Sequence, residues 1–361
     1  MKDLNNKLHL IAFDIPYPAN YGGVIDIFYK IKSLHKQGIQ VILHAYQYGR
    51  EQSDVLNKYC HQVYYYKRKT FRNPFYSNLP YIVASRNSSE LLENLLAIDA
   101  PILFDGLHCC YYLSHPELKT RFKMVRTHNI EHDYYSSLEE VESNFFKKYF
   151  FRVESERLKN FEPNLKNADI IFPISPADTE YFKKNYPENK VEYLPAFHPN
   201  EELSCKEGKG QYILYHGNLS VGENDEAARF LVKEVFSKVN LPFIIAGSNP
   251  SKYLIREISG YSHIELKDQC SSEEILDLIQ NAQINILPTF QATGIKLKLI
   301  NSLYRGRFCL VNDTMVNQTG LESLCSIANT PAQFQKQVKK LWDSYFDLKE
   351  LEKRKNYLEL N

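Results

Sequence analysis

The chain runs to 361 residues with 43% hydrophobic and 24% charged residues, which excludes a disordered protein and exceeds one ordinary domain of ~150 residues. Lys and Arg number 44 against 43 Asp and Glu, a net charge of +1, so no overall field favours nucleic acid and no nucleic-acid partner is expected. Seven scattered cysteines without a CxxC pair read as reduced thiols, and no run of ~18 apolar residues marks a leader or a membrane span, so a cytoplasmic protein is expected.

In chain order, Leu8–Phe13 (LHLIAF) reads as a buried strand, Gly22–Gly38 as an amphipathic helix closed by a glycine, and Ile39–Tyr46 as the next strand, which is one βαβ unit. Further strands are predicted at Gln62–Lys67, Pro101–Gly106, Lys123–Thr127, Asp169–Ile174 and Lys190–Pro195. Ser175-Pro176-Ala177-Asp178 has the serine cap, first-turn proline and acid of a helix start. From Ala196 to Gly210 apolar periodicity gives way to Pro, Gly and charge, as in a linker. A second alternation follows, with strands at Gln211–Gly217, Leu241–Gly247, His263–Lys267, Ile284–Thr289 and Arg307–Asn312, a capping box at Ser271–Glu274, and one or two polar helices over Ala332–Leu360. The expected class is α/β, with two Rossmann-like domains facing a cleft: 1–195, 196–342, and a helical tail 343–361 that packs back on the N-terminal domain.

Three stretches carry candidate chemistry. HNIEH, His128–His132, spells the H-x-x-E-H pattern in which two imidazoles bind zinc and Glu131 is the general base, but FKMVR before it reads as a strand, which puts His128 at a strand's carboxyl end, where α/β sheets bind ligands without a metal. IPYPANYGG, Ile15–Gly23, is either a plain turn or a loop whose Gly22 and Gly23 let backbone amides approach a ligand. It lacks the G-x-G-x-x-G pattern, which disfavours a nicotinamide or flavin enzyme. In ATGIKLKLINSLYRG, Thr293, Gly294 and Ile295 can offer free amides to a phosphate while Lys296 or Lys298 neutralises it, the alternative being a solvated lysine pair on a surface helix.

The order of these segments resembles the two-domain GT-B glycosyltransferases of the group 1 type, family 4, from Leu8 to about Trp342. PYPANYGG looks like that family's first glycine loop, VRTHNIEHDYY like its HN-E segment, PISPADTEYF like its Ser-Pro-x-Asp helix start, YHGNLSVGEN and IIAGSNP like the first two strand ends of its donor domain, and ATGIKLKLINSLYRG like its nucleotide-sugar helix.

The resemblance implies a retaining, metal-independent hexosyltransferase without a cofactor, moving a hexose from a nucleotide diphosphate sugar to a saccharide or lipid-linked acceptor. It implies catalytic roles for His128 and Lys296, donor contacts at Gly22, Gly23, Asn218, Gly247, Thr293, Gly294, Ile295, Lys298 and Asn301, and an acceptor side at Tyr17, Asn20, Tyr21 and Asn129. Glu131 and His132 would start the next helix and face solvent or the cleft. The chain departs from the family where paired glutamates are usual, with Thr293 and Asn301 in their places, and where Arg and Lys usually follow the first donor-domain strand, with Asn218 there instead. A GT-B protein that binds a nucleotide sugar or partner without turnover is the alternative. FFKKYFFR, Phe145–Arg152, either meets a membrane at its inner face, where a lipid acceptor sits, or covers the core as an amphipathic helix.

Overall fold

The computed structural model describes residues 6–70, 78–142, 144–290, 296–317 and 319–359. They form two units, Met1–Pro199 and Asn200–Asn361.

In the N-terminal unit the parallel strands are β1 (Lys7–Ala12), β2 (Gln40–Gln47), β3 (Gln62–Lys67), β4 (Ile102–Asp105), β5 (Lys123–Thr127), β6 (Ile170–Pro173) and β7 (Lys190–Val191), in the order β3-β2-β1-β4-β5-β6-β7. Five of the six residues of β1 are buried, as expected for a central strand covered on both faces. The helix Gly22–Lys36 follows β1, and Gly38 behind it adopts φ +78, a conformation that L side chains rarely take. Ser175 caps the helix Pro176–Asn185 through the Asp178 amide at 3.0 Å. The chain order reverses between β1 and β4, so the loops behind these two strands diverge and leave a crevice at the sheet's carboxyl edge.

The C-terminal unit repeats this plan with β8 (Ile213–His216), β9 (Phe243–Gly247), β10 (Ile264–Asp268), β11 (Ile284–Leu287), β12 (Phe308–Val311) and β13 (Ser326–Ile327), in the order β10-β9-β8-β11-β12-β13. Its switch point lies between β8 and β11. The capping box Ser271–Glu274 is formed in full.

Two expected boundaries change. The N-terminal unit ends after Pro199 rather than Pro195, because Arg126 donates to the carbonyls of Leu194 and Pro195 while Asp26 accepts from the Phe197 amide at 2.8 Å. The C-terminal helix Leu348–Glu359 packs on the C-terminal unit, where the sequence reading places a tail on the N-terminal one: Arg354 donates to the Leu303 carbonyl at 3.0 Å and Lys353 to that of Ser323 at 2.6 Å. An arginine that satisfies carbonyls at the end of the helix Leu297–Arg305 ties the tail there. No described helix is long and apolar enough to cross a membrane.

Candidate functional site

Behind the N-terminal switch point sits a buried charge cluster. The helix Gly22–Lys36 brings Asp26 and Lys30 together at 3.0 Å, one turn apart on its buried face. Lys30 also pairs with Asp105 at the end of β4, and Arg126 of β5 reaches Asp26 at 2.9 Å. Burial alone would raise both carboxyls; the Lys30 and Arg126 cations beside Asp26, and Lys30 with His128 beside Asp105, outweigh it and keep them ionised.

His128 follows β5 directly, and its Nε2 lies 2.6 Å from Asp105 Oδ1. An ionised carboxylate only accepts, so Nε2 carries the proton and a neutral ring keeps its lone pair on Nδ1, which has no partner among the described residues. Gly106, between Asp105 and this ring, adopts φ +89, and a Cβ there would stand 3.0 Å from His108 Nδ1. A side chain at that position would crowd His108 and reach van der Waals contact with His128.

The zinc alternative for HNIEH does not fit this geometry. Asp26, Asp105 and His128 are the three potential ligands that cluster among the described residues, and Lys30 and Arg126 already compensate their charge. His132 instead bonds Glu162 at 3.1 Å. Glu131 does open the helix Glu131–Val141, but it is buried at 2% exposure rather than facing solvent, and burial pushes its carboxyl up to about 8. A carboxyl that keeps its proton at neutral pH does not serve there as a general base.

Around the same strand ends a cavity of about 320 Å³ is walled by Phe13, Tyr21, Tyr48, Tyr81, Tyr135 and Phe150. Asp14, Arg68, Arg86 and His108 supply its polar lining. Of the expected acceptor-side residues, Tyr21 borders it and donates to Asp14 at 2.9 Å. Tyr17 instead packs its ring on Phe28, centroids 5.4 Å apart, and is spent on the core. Asn20 accepts from Arg50 at 2.9 Å on the exposed loop, and Asn129 bonds Glu131. Gly22 and Gly23 begin the first helix, and a Cβ at Gly23 would come within 2.5 Å of the Phe13 ring, so the glycine is required by packing.

In the C-terminal unit a second polar group gathers at the ends of β8 and β11. Lys298 Nζ donates to Asn224 at 2.6 Å and lies 5.4 Å from the Tyr215 ring centroid. Burial lowers both lysines, Lys298 to about 8, with Glu223 opposing. Burial and Lys298 drive His216 down to about 3, so it is neutral and serves the core beside Ser302. Lys296 occupies the residue before the helix Leu297–Arg305 without capping it through its side chain, and Thr293, Gly294 and Ile295 lie outside the described residues.

Asn218 spends its side-chain carbonyl on Ser220, whose hydroxyl is 2.7 Å away, and shapes the turn before the helix Gly222–Phe230. Gly247 lets the chain pass the Gly217 carbonyl, which a Cβ would meet at 2.0 Å. Asn301 accepts from Asn200 at 2.8 Å, so its carbonyl is engaged within the unit.

Sequence reasoning missed Asp26, Lys30, Asp105, Arg68, Arg86 and His108. The signal for Asp26 and Lys30 was a charged i,i+4 pair inside the apolar stripe of GGVIDIFYKIK. Asp105 and His108 follow from the strand-end rule that singled out His128, applied to PILFDGLH.

No family model matches the chain. Among solved structures it is similar to Phytolacca americana UGT2 complexed with UDP-2fluoro-glucose and pterostilbene, at 13% identity over 98% of this chain and 94% of that one, with TM-score 0.56. It is likewise similar to α,α-trehalose 6-phosphate synthase from Burkholderia multivorans (9% identity, 96% and 93% covered, TM-score 0.57) and to Acinetobacter baumannii MurG (13%, 96% and 92%, TM-score 0.53). The chain has the GT-B fold. The two switch-point crevices are therefore those of the two GT-B domains, the arginine-lined cavity in the first and the lysine pair in the second. A Klebsiella pneumoniae protein described as an uncharacterized 44.6 kDa protein in cps region is 25% identical over 358 residues, 92% of this GT-B chain and 90% of that protein.

Proposed function

We propose that this protein is a glycosyltransferase that moves a hexose from a nucleotide diphosphate sugar to a saccharide or lipid-linked acceptor, in polysaccharide or glycoconjugate synthesis. The observation that carries the reading is the Lys296 and Lys298 pair at the switch point of a GT-B C-terminal domain, two ammonium groups that burial has partly stripped of water. The UGT2 likeness, solved with a UDP sugar, supports the donor class, and the relative in a cps region supports the polysaccharide role.

In the proposed reaction the bond from the anomeric carbon to the diphosphate oxygen breaks and the acceptor hydroxyl oxygen forms the new bond. Lys296 and Lys298, with the first amides of the helix Leu297–Arg305, meet the charge that develops on the diphosphate, so no divalent ion is required for it. With retention, the departing oxygen takes the hydroxyl proton on the same face, and His128 supports that region. One observation favours a second course: the His128–Asp105 pair, with a free lone pair on Nδ1, has the geometry of a general base, which would take the proton and give inversion.

Thermal shifts with UDP-, GDP- and other nucleotide sugars, with and without EDTA, test the donor reading. One nucleotide that stabilises wild type in EDTA and fails with Lys296→Ala supports it; no shift from any of them leaves a GT-B protein without turnover. Proton NMR of the first product formed distinguishes retention from inversion.

A further inference from the structure

The cavity of the N-terminal unit carries more positive charge than its packing needs. Arg86 is 4% exposed, and its guanidinium donates to main-chain carbonyls, Phe13 at 2.9 Å and Ile82 among them. Arg68, half-buried, donates Nε to Ser85 at 2.8 Å while its guanidinium carbon lies 4.6 Å from the Tyr48 ring centroid and 5.4 Å from that of Tyr81. Neither arginine forms an ion pair among the described residues. Asp14 is the carboxylate on the lining, and it is held by the Ile15 amide and the Tyr21 hydroxyl, both at 2.9 Å.

Two further groups near this wall hold polar atoms without partners. His108 Nδ1 and Glu131 Oε1 face each other at 3.8 Å, both shielded from solvent and neither hydrogen-bonded among the described residues. Burial holds His108 well below its usual range and Glu131 up to about 8, so both are neutral near pH 7 and neither offsets an arginine. Among the described residues of the lining, two guanidiniums stand against one carboxylate, which leaves one positive charge between aromatic walls. Such a charge disfavours the apolar and neutral ligands that the walls would otherwise take, and it favours an oxyanion.

We propose that this cavity binds an oxyanion carried by the acceptor, a carboxylate or a phosphate, with Arg68 as its direct partner, Arg86 as the charge behind it, and Tyr48 and Tyr81 fixing the guanidinium plane. The inference rests on the glycosyltransferase reading for the word acceptor, and on the cavity alone for the oxyanion. The source is either an acidic sugar residue or the phosphate of a lipid-linked acceptor.

The test measures binding of methyl β-glucuronide, inorganic pyrophosphate and neutral methyl β-glucoside to the full chain by saturation-transfer NMR, for wild type, Arg68→Gln and Arg68→Lys. At least one anionic probe should bind roughly tenfold or more tighter than the glucoside, lose that margin in Arg68→Gln, and recover part of it in Arg68→Lys. Preference for glucuronide assigns an acidic sugar, and preference for pyrophosphate a phosphorylated acceptor. Equal binding of the anionic and neutral probes, insensitivity to Arg68→Gln, or displacement of the anion by UDP would overturn the assignment. A nucleotide-sugar thermal shift retained in Arg68→Gln shows that the variant is folded. Anion binding in a protein that no nucleotide sugar stabilises keeps the oxyanion site and removes its role as an acceptor subsite.

Discussion

Glu131→Gln tests the charge state on which the reading of HNIEH depends. In the unfolded chain the carboxyl titrates at its ordinary value of 4.5, and in the fold burial moves it up to about 8, with the Asn129 bond and Arg86 opposing. Between those values the folded protein holds a proton that the unfolded chain has released, so stability falls as pH rises. The slope is ~1.4 kcal/mol per pH unit, and the span gives a ceiling of ~5 kcal/mol above pH 8. Glutamine is isosteric and does not titrate. The variant and wild type should therefore unfold alike near pH 4.5, and the variant's advantage should widen up to pH 8 and then level. For a unit of this length each kcal/mol moves the midpoint by about 2–4 °C, so the difference at pH 8 should exceed ~5 °C in thermal unfolding followed by circular dichroism. A gap that does not change with pH, or a variant less stable than wild type at pH 8, would mean that Glu131 is ionised in the fold, and the zinc and general-base reading would return.

The remaining predictions address the other elements. Lys298 titrates at about 8 in the free protein, and a bound diphosphate raises it, so UDP affinity measured by calorimetry should be flat below pH 8 and roughly tenfold weaker at pH 9; Lys298→Arg should flatten the profile, and a wild-type affinity constant from pH 7 to 9 would remove Lys298 from the donor site. Phe145 and Phe146 are 75% and 81% exposed beside Lys147 and Lys148, so Phe145→Glu with Phe146→Glu should cut cosedimentation with anionic vesicles at least tenfold while leaving the melting temperature within about 1–2 °C; unchanged sedimentation would make this helix a solvent face. Gly247→Ala places a methyl group on the Gly217 carbonyl and should cost about 1–3 kcal/mol in denaturant titration, and a neutral result would show that the β8 and β9 loops separate freely.

What could be read ahead of the structure was local. The βαβ alternation, the Ser175 cap and the Ser271–Glu274 capping box each depend on residues within one turn or one strand, and they stand where the pattern puts them. His128 was legible for the same reason, because a polar residue behind an apolar strand lies at the carboxyl edge whatever else the sheet contains. The two-residue strand β13 was not read, since it is too short to show a period. The partners that give His128 its chemistry come from afar: Asp105 stands 23 residues before it, and Lys30 another 75 before that. Arg68 and Arg86 reach one cavity from two distant points of the connection between β3 and β4, and Glu131 owes its proton to burial that only tertiary packing creates. Local pattern therefore located the crevices, and the charge each crevice holds was decided by contacts that no window of sequence contains. That division explains why a phosphate contact could be argued from KLKLINSLYR while the oxyanion inference could not: the lysines are spaced along one helix, whereas the two arginines share a site only because β3 and the segment before Ser88 converge on the same sheet edge.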